Sequence, residues 1–482
     1  MSDSWDVVDL LAEIADLGRD AVRGGYSRHV FEPAELELRA WFTRRAEALG
    51  LVVEPDRNGN LWACWGEPGR GTVGTGSHLD SVPGGGALDG PLGVASALSA
   101  VARLKARGFV PVRPVAVAAF AEEEGSRFGI ACLGSKLLTG AVDPVAIAAR
   151  ADAAGVTFAQ AAAEAGVDPA GIGRDDARLA SLGCFVELHV EQGRALADLG
   201  APVAVASAIL AHGRWRLTFT GEGNHAGATP MAGRRDPVVA ASAAVLAARD
   251  IAAARDDQAA GVNARATVGR LVPVPGGTNV IASRVDAWLD VRGDTDAAAR
   301  ALAAEICAAI RLAAAKHGCG IEITKESYLP EVTFDAELRD RLRTALGRTP
   351  GLGQTPELRE TPAPDRTPVP NGTSVPDGTP VPDGTPVPDG TSVPEGVPVS
   401  EGVPVSEGVP APEGVPASCG VPVLATGAGH DAGVLAGELP TAMLFVRNPT
   451  GVSHSPAETA SDDDCRAGVD ALATVLAALA GD

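Results

Sequence analysis

Of the eight histidines in this 482-residue chain, five sit in short polar motifs: His78, His189, His225, His430 and His454. His78 closes an apolar run in G-S-H-L-D, and Asp89 follows eleven residues later in L-D-G-P-L-G. Ala121-Glu122-Glu123-Glu124-Gly125 places three adjacent carboxylates where another apolar run ends. Such a cluster is costly to bury unless a cation neutralises it. Imidazole and carboxylate donors together suit zinc or a similar divalent transition ion, not a calcium or magnesium cage. Two histidines and two carboxylates could hold one ion; a third histidine fits a pair of ions bridged by an aspartate. A bridged pair brings water toward hydroxide near neutral pH, which is a hydrolytic chemistry. The plainer readings are a packed core histidine and a solvated acidic turn. Four such motifs, three of them at or near expected strand ends, favour the metal. His29, His212 and His317 lack such company and read as surface or structural residues.

Strands and helix starts must carry these side chains. Gly71 to Ser77 reads as a strand, Pro91 to Gly108 as an Ala-rich helix, and Val112 to Ala121 as a buried parallel strand. Phe185 to Val190 reads likewise. Asp6 to Gly24 and Pro33 to Gly50 read as amphipathic helices, the second with Pro at its first position. The alternation predicts an α/β fold: a layered catalytic domain around a central mixed, mostly parallel sheet, with its site at the carboxyl edge of the strands. From about Ile209 to Leu329 the pattern changes. Strands at Arg214 to Gly221, Ala264 to Leu271, Val280 to Val291 and Gly320 to Lys325 mix with helices at Asp236 to Ala254 and Asp296 to His317. This predicts a compact α+β unit of roughly 120 residues inserted into the larger domain.

From about Thr361 to Pro422 the chain repeats every six residues, as G-T-P-V-P-D and later G-V-P-V-S-E. A six-residue period can mark a parallel β-helix, but recurring Pro cannot donate to a ladder and bulky aliphatic residues are few. The repeat reads as a flexible insert of polyproline-II character. The expected plan is a catalytic domain in three parts (1–208, 330–360 and 423–482), an inserted lid and dimerisation unit (209–329) and a disordered repeat (361–422).

Composition narrows the class. With 40 Lys plus Arg against 61 Asp plus Glu, the net charge of −21 argues against a nucleic-acid-binding surface. No apolar run approaches the roughly 18 residues of a membrane-spanning helix. The acidic N-terminus has neither the basic segment nor the apolar stretch of a signal peptide. Seven scattered cysteines without a CxxC read as reduced thiols, with no disulfide framework and no Cys-type zinc site. The expectation is a soluble cytoplasmic enzyme with a small-molecule substrate and no nucleic-acid or membrane partner.

Taken in order, several motifs resemble one family: G-S-H-L-D-S-V-P-G-G-G-A-L-D-G (Gly76 to Gly90), E-E-E-G-S-R-F (Glu122 to Phe128), H-V-E-Q-G (His189 to Gly193), N-H-A-G-A-T-P-M (Asn224 to Met231), G-A-G-H-D-A and G-V-S-H-S-P-A-E. They look like the dimetal carbamoylase group, which contains allantoate amidohydrolase, N-carbamoyl-L-amino-acid hydrolase and β-ureidopropionase and is related to the aminoacylase-type metallopeptidases. The resemblance covers nearly the whole chain outside the repeat. It implies two divalent ions per subunit, zinc or manganese foremost, with cobalt and nickel also compatible. His78, Asp89 and His189 would hold one ion; Asp89 would bridge to the other, completed by Glu124 and His454. Glu123 matches the family's general base, which carries a proton from water to the leaving nitrogen. The Gly-Ser-Arg-Phe that follows sets this register of the glutamates. Asp80 matches a carboxylate that orients His78.

The resemblance also implies substrate contacts from Gln192, His225, Asn279, Arg292 and His430, with Arg292 as a bidentate carboxylate clamp. It implies that the inserted unit closes as a lid and forms a homodimer in which His225 reaches the partner's site. Arg214, eleven residues before His225, aligns with an arginine that the allantoate branch uses for its substrate. R-G-G-Y-S-R-H-V-F-E-P-A-E also looks like that branch. The expected substrate is therefore allantoate, converted to ureidoglycine with release of carbon dioxide and ammonia, ahead of N-carbamoyl-L-amino acids and then β-ureidopropionate. Two other classes compete. An inactive Pro-rich interaction protein is opposed by the complete set of ligands and base. A peptidase or deacylase is opposed by Gln192, Asn279 and Arg292 in their ureido-group contexts.

Overall fold

The computed structural model describes residues 4–257, 262–349 and 420–481. The repeat at 361–422 lies outside the described residues except for its last three. The strands, in chain order, are β1 (Val52–Pro55), β2 (Leu61–Trp65), β3 (Thr72–His78), β4 (Val115–Phe120), β5 (Leu182–Val190), β6 (Val203–Ile209), β7 (Ala211–Thr220), β8 (Asn224–His225), β9 (Ala264–Val274), β10 (Val280–Ile281), β11 (Arg284–Gly293), β12 (Gly320–Leu329), β13 (Val332–Thr333), β14 (Val423–Thr426) and β15 (Thr441–Val446).

A nine-stranded mixed sheet runs β1-β2-β4-β3-β5-β15-β6-β13, with β14 beside β6. Its centre, β4-β3-β5-β15, is parallel. Antiparallel pairings fall at the flanks. Both faces are covered, so β4 and β15 are nearly continuous apolar runs, while β3 is fully buried but built of small residues, Thr-Val-Gly-Thr-Gly-Ser, before His78. Val73, Val117, Val186 and Leu188 pack with the Pro91–Ala106 and Asp462–Ala480 helices on one face. Trp62, Phe120 and Phe185 pack on the other. Each such side chain contributes about 1.5–3 kcal/mol by leaving water. The G-S-H sequence also has a backbone reason: at Gly76, φ is 138° and a Cβ would lie 2.0 Å from the Ala118 carbonyl oxygen.

Residues 211–329 build a second sheet, β12-β7-β11-β9, antiparallel throughout. Burial alternates along β11, so Val285, Ala287, Leu289 and Val291 face the core with the Pro237–Arg255 and Asp296–Lys316 helices. The opposite face carries Arg284, Asp286, Trp288, Asp290 and Arg292, all at least partly exposed.

Three expectations need correction. The first helix is only Val7–Glu13, not Asp6 to Gly24. Arg28 donates to the Ile14 and Leu17 carbonyls at 3.0 and 2.9 Å, taking acceptors that a continuing helix would use. The strand expected over Val280 to Val291 divides into β10, paired with β8, and β11, paired with β7 and β9. Ser283 makes the break, donating to Val274 and accepting from Gly221. Finally, the Pro237–Arg255 helix, at mean hydropathy 1.5, is long and apolar enough by composition to cross a membrane. Arg249 and Asp250 interrupt its apolar run, and Ala240, Ala244 and Ala248 are buried in the core of the second sheet. The six cysteines among the described residues are free and buried.

Candidate metal centre and active site

His78 ends β3, Glu122 to Glu124 follow β4, and His189 lies one residue from the end of β5. Neighbouring parallel strands thus deliver these side chains to one carboxyl edge, where open α/β sheets place ligands. Asp89 arrives just before the Pro91–Ala106 helix. Gly90 beside it must lack a side chain, because a Cβ would sit 2.4 Å from the His78 ring. His454 comes from the segment after β15 with a left-handed φ of 54°, and Glu122 has a φ of 55°. Such backbone persists where the surroundings hold it, and it clusters at functional sites.

Asp89 stands at the centre. Its Oδ1 is 3.2 Å from His189 Nε2 and 3.6 Å from His78 Nε2, while its Oδ2 is 3.4 Å from His454 Nε2. His454 Nε2 is also 3.4 Å from Glu124 Oε2, and His78 Nε2 is 3.6 Å from Glu123 Oε2. His78, Asp89 and His189 bring their donor atoms within 4.8 Å of one another, as do Asp89, Glu124 and His454. Offering one oxygen to each group makes Asp89 a bridging ligand in shape.

The donor set fits divalent cations. His78 Nδ1 lies 3.0 Å from the Asp80 carbonyl and His189 Nδ1 lies 2.9 Å from the Val190 carbonyl. A carbonyl only accepts, so each Nδ1 carries the proton and the neutral ring turns its Nε2 lone pair inward. Both Nε2 atoms are buried without a hydrogen-bond partner. The electrostatics agree. Burial opposes charge on His78, yet Glu123, Asp89 and Asp80 outweigh it and hold its pKa well above the ordinary range. Asp89 likewise raises His189 against the effect of burial. Burial alone would raise Asp89, but His189 and His78 hold it well below the usual carboxylate range. Burial and then Asp89 push Glu124 up to about 8, and burial holds Glu123 well above the usual range. The pocket therefore demands positive charge, which a divalent ion supplies while leaving the imidazoles neutral.

Further groups brace this arrangement. The backbone oxygen of Asp80, not its carboxylate, is within hydrogen-bond distance of His78; Oδ1 is 3.7 Å away. The carboxylate instead accepts from Glu123 N at 3.2 Å and Glu124 N at 3.1 Å, fixing the turn that presents both glutamates. Glu122 points away and accepts from the Arg127 and Phe128 amides. Gln192 Nε2 donates to Asp89 Oδ2 at 3.0 Å, so the structure brings Gln192 to the centre. His430 is buried with its ring 4.5 Å from that of His189. Burial and then His189 hold its pKa well below the ordinary value. Glu187, His189 and His430 form a third grouping of donors. Glu187 is already engaged there, accepting from Ser77 Oγ at 2.8 Å and Ala432 N at 2.9 Å.

Glu458 was missed by sequence reasoning as a working residue, although it closes the quoted S-H-S-P-A-E motif. It accepts from the Leu88 and Asp89 amides at 3.2 and 2.9 Å and so fixes the backbone of Asp89, which both donor groups share. Asn60 also went unnoticed. Buried and polar, it ties Asp56, Ala121 and Gly134 together behind the glutamate turn. The stretch N-G-N-L-W, which also holds Asn58, gives no hint of this.

The second sheet carries two arginines that meet one carboxylate. Arg292 donates to Asp290 at 2.8 Å and to the Gly427 carbonyl, three residues before His430. Arg214, on the neighbouring strand, lies 3.5 Å from the other oxygen of Asp290. The two arginines thus share one carboxylate on the open face of that sheet. His225 and Asn279 are not brought to the metal-facing residues. They line a separate cleft of about 420 Å³ with Gly223, Asn224, Pro275, Val280 and Ser283.

Residues 74–365, more than half of the chain, match the profile of Peptidase family M20/M25/M40. The chain belongs to this family. It is similar to the N-carbamoyl-L-amino acid amidohydrolase of Geobacillus stearothermophilus, 31% identical over 96% of this chain and 95% of that protein. It is also similar to the allantoate amidohydrolase of Escherichia coli (strain K12), 29% identical over 98% and 97% of the two chains. Among solved structures it resembles an amidase of the hydantoinase/carbamoylase family from Burkholderia multivorans, with a TM-score of 0.76 at 25% identity over 99% and 97% of the chains. The chain is thus an M20-family enzyme, and relatives that match it over nearly their whole length include named amidohydrolases.

Proposed function

We propose that this protein hydrolyses the ureido C–N bond of a small ureido acid, with allantoate the favoured substrate. The observation that carries the reading is Asp89, with one oxygen toward each of two donor groups and Glu123 beside them. Divalent ions held by His78, Asp89 and His189 and by Asp89, Glu124 and His454 would supply Lewis acidity and a water that ionises near neutral pH. The chain's own residues do the rest. Glu123 Oε2 accepts a proton from the attacking water and delivers it to the leaving nitrogen. A buried carboxylate with a raised pKa suits both halves of that transfer. Arg292 takes the substrate carboxylate on its planar pair of donors, exchanging for it part of its present contacts with Asp290 and the Gly427 carbonyl. Gln192 and His430 line the approach to Asp89 and His189, and His225 and Asn279 reach the ureido group when the second sheet closes or from a partner subunit.

Arg214 supports allantoate over N-carbamoyl amino acids, because it places a second guanidinium beside Arg292 for a substrate with two ureido arms. Kinetics of Arg214→Ala test this. The variant is expected to raise KM for allantoate about tenfold, the worth of one charge-assisted contact, and to leave N-carbamoyl-L-amino acids unaffected. Wild-type turnover confined to the latter would make them the substrate. The homodimer is proposed through the outer face of the Pro237–Arg255 helix, where Val239 and Leu246, seven residues apart, are 47% and 54% exposed.

A further inference from the structure

The two carboxylate oxygens of Glu123 have different neighbours. Oε2 faces His78 Nε2 at 3.6 Å, on the side of the donor groups, whereas Oε1 accepts from Cys132 Sγ at 3.2 Å. Both residues are buried, at 6% and 4% exposed. The thiol reaches this oxygen because residues 132–134 fold back along 121–123. Cys132 N donates to the Glu123 carbonyl at 2.6 Å, Leu133 N to Glu122 at 3.0 Å and Gly134 N to Ala121 at 2.9 Å. Asn60 fastens the two segments, accepting from Ala121 N and donating to the Gly134 carbonyl. Cys132 itself takes a left-handed φ of 54°, a backbone that a residue with a side chain adopts only when its surroundings impose it. Burial and then Glu123 hold the thiol protonated, so sulfur is here a donor and not a nucleophile.

We propose that Cys132 is a positioning residue for Glu123: its S–H pins Oε1 so that Oε2 stays turned toward the reacting water. The inference rests on the reading of Glu123 as the proton carrier. A buried carboxylate without this donor keeps a free rotation about its last bond and an unpaired oxygen. Geometry at the proton-transferring atom then suffers, whereas substrate binding, which uses other residues, does not.

The test compares Cys132→Ala, Cys132→Val and Cys132→Ser in the metal-loaded protein, with metal content and melting temperature measured alongside. Removing the donor in Ala or Val is expected to lower kcat about tenfold at unchanged KM and metal content, the scale of one hydrogen bond to a charged group. Serine restores a donor and should return kcat to within about threefold of wild type. A second readout needs no turnover: the infrared S–H stretching band assigned to Cys132 by difference against Cys132→Ala. Hydrogen bonding to a carboxylate places it below the bands of the other buried thiols, and Glu123→Gln should move it upward. Full kcat in Ala and Val, or a Cys132 band indifferent to Glu123→Gln, would overturn the proposal. A wild type that binds metal but hydrolyses no ureido compound would sink the functional reading instead, and the infrared band would still decide the positioning.

Discussion

Protein stripped of metal by a chelator should lose thermal stability as the pH rises from 6.5 to 7.5. Glu124 sets the expectation. Burial and the neighbouring Asp89 carboxylate push its pKa from 4.5 up to about 8. Between those values it is protonated in the folded protein and ionised in the unfolded chain. Unfolding then releases a proton, so the stability present below pH 4.5 is lost progressively as the pH climbs toward 8. Across the stated unit the loss for one such group is about 1.2 kcal/mol, close to the full 1.36 kcal/mol per unit. Glu122 and Asp431, also pushed up to about 8, and Glu458, pushed up to about 7, act in the same direction. His430 and His454, lowered chiefly by burial, oppose it, but weakly across this window, because the unfolded imidazole is already half deprotonated at pH 6.5 and almost wholly so by 7.5. At about 2.1 cal/mol/K per residue, unfolding this chain carries an entropy of about 1 kcal/mol/K, so one such group shifts the midpoint by about 1 °C and the others deepen the fall. Differential scanning calorimetry at both pH values resolves this. Metal-loaded protein should fall less steeply, because a bound ion keeps Glu124 ionised while Glu122, Asp431 and Glu458 lie outside the two donor groups, and it should melt higher by mass action. A midpoint that stays flat or rises with pH in the chelated protein would refute the reasoning.

Other perturbations have equally definite outcomes. Asp89→Asn removes the charge that faces both donor groups and should reduce metal content at both positions, with turnover down at least about 100-fold; mass spectrometry of the native protein and ammonia release check it. Arg292→Lys keeps the charge but not the planar fork, so KM should rise about tenfold or more with little change in kcat, as steady-state kinetics will show. Leu246→Glu places a charge on the exposed apolar stripe of the Pro237–Arg255 helix and should convert a dimer to monomers in sedimentation velocity without lowering the melting temperature.

Much of the centre was legible because its residues lie in short motifs at the ends of apolar runs, and apolar runs are what buried parallel strands look like. His78, Asp89, Glu124, His189 and His454 converge in the structure as those motifs implied. The layered sheet was legible for the same reason. Other features depended on contacts distant in sequence. Arg28 ending the first helix, Glu458 holding the Asp89 amide, and Cys132 meeting Glu123 all join residues whose partners no local pattern names. Short amphipathic helices such as Phe158–Glu164 and the edge strands β1 and β13 also escaped notice, being too brief for periodicity to register. The role of Asp80 shifted because its backbone and side chain both point into the site, and sequence does not separate the two.

The central claim, a two-ion centre driving ureido hydrolysis with Glu123 carrying the proton, is tested most directly by ammonia release. Protein reconstituted with manganese or zinc is offered allantoate and N-carbamoyl-L-amino acids, with Glu123→Gln in parallel. The account predicts release from a ureido substrate by wild type, an ion in each donor group, and a fall of at least about 100-fold in the variant with its metal retained. Ammonia release that survives in Glu123→Gln, or none from any ureido compound with both ions bound, would contradict it.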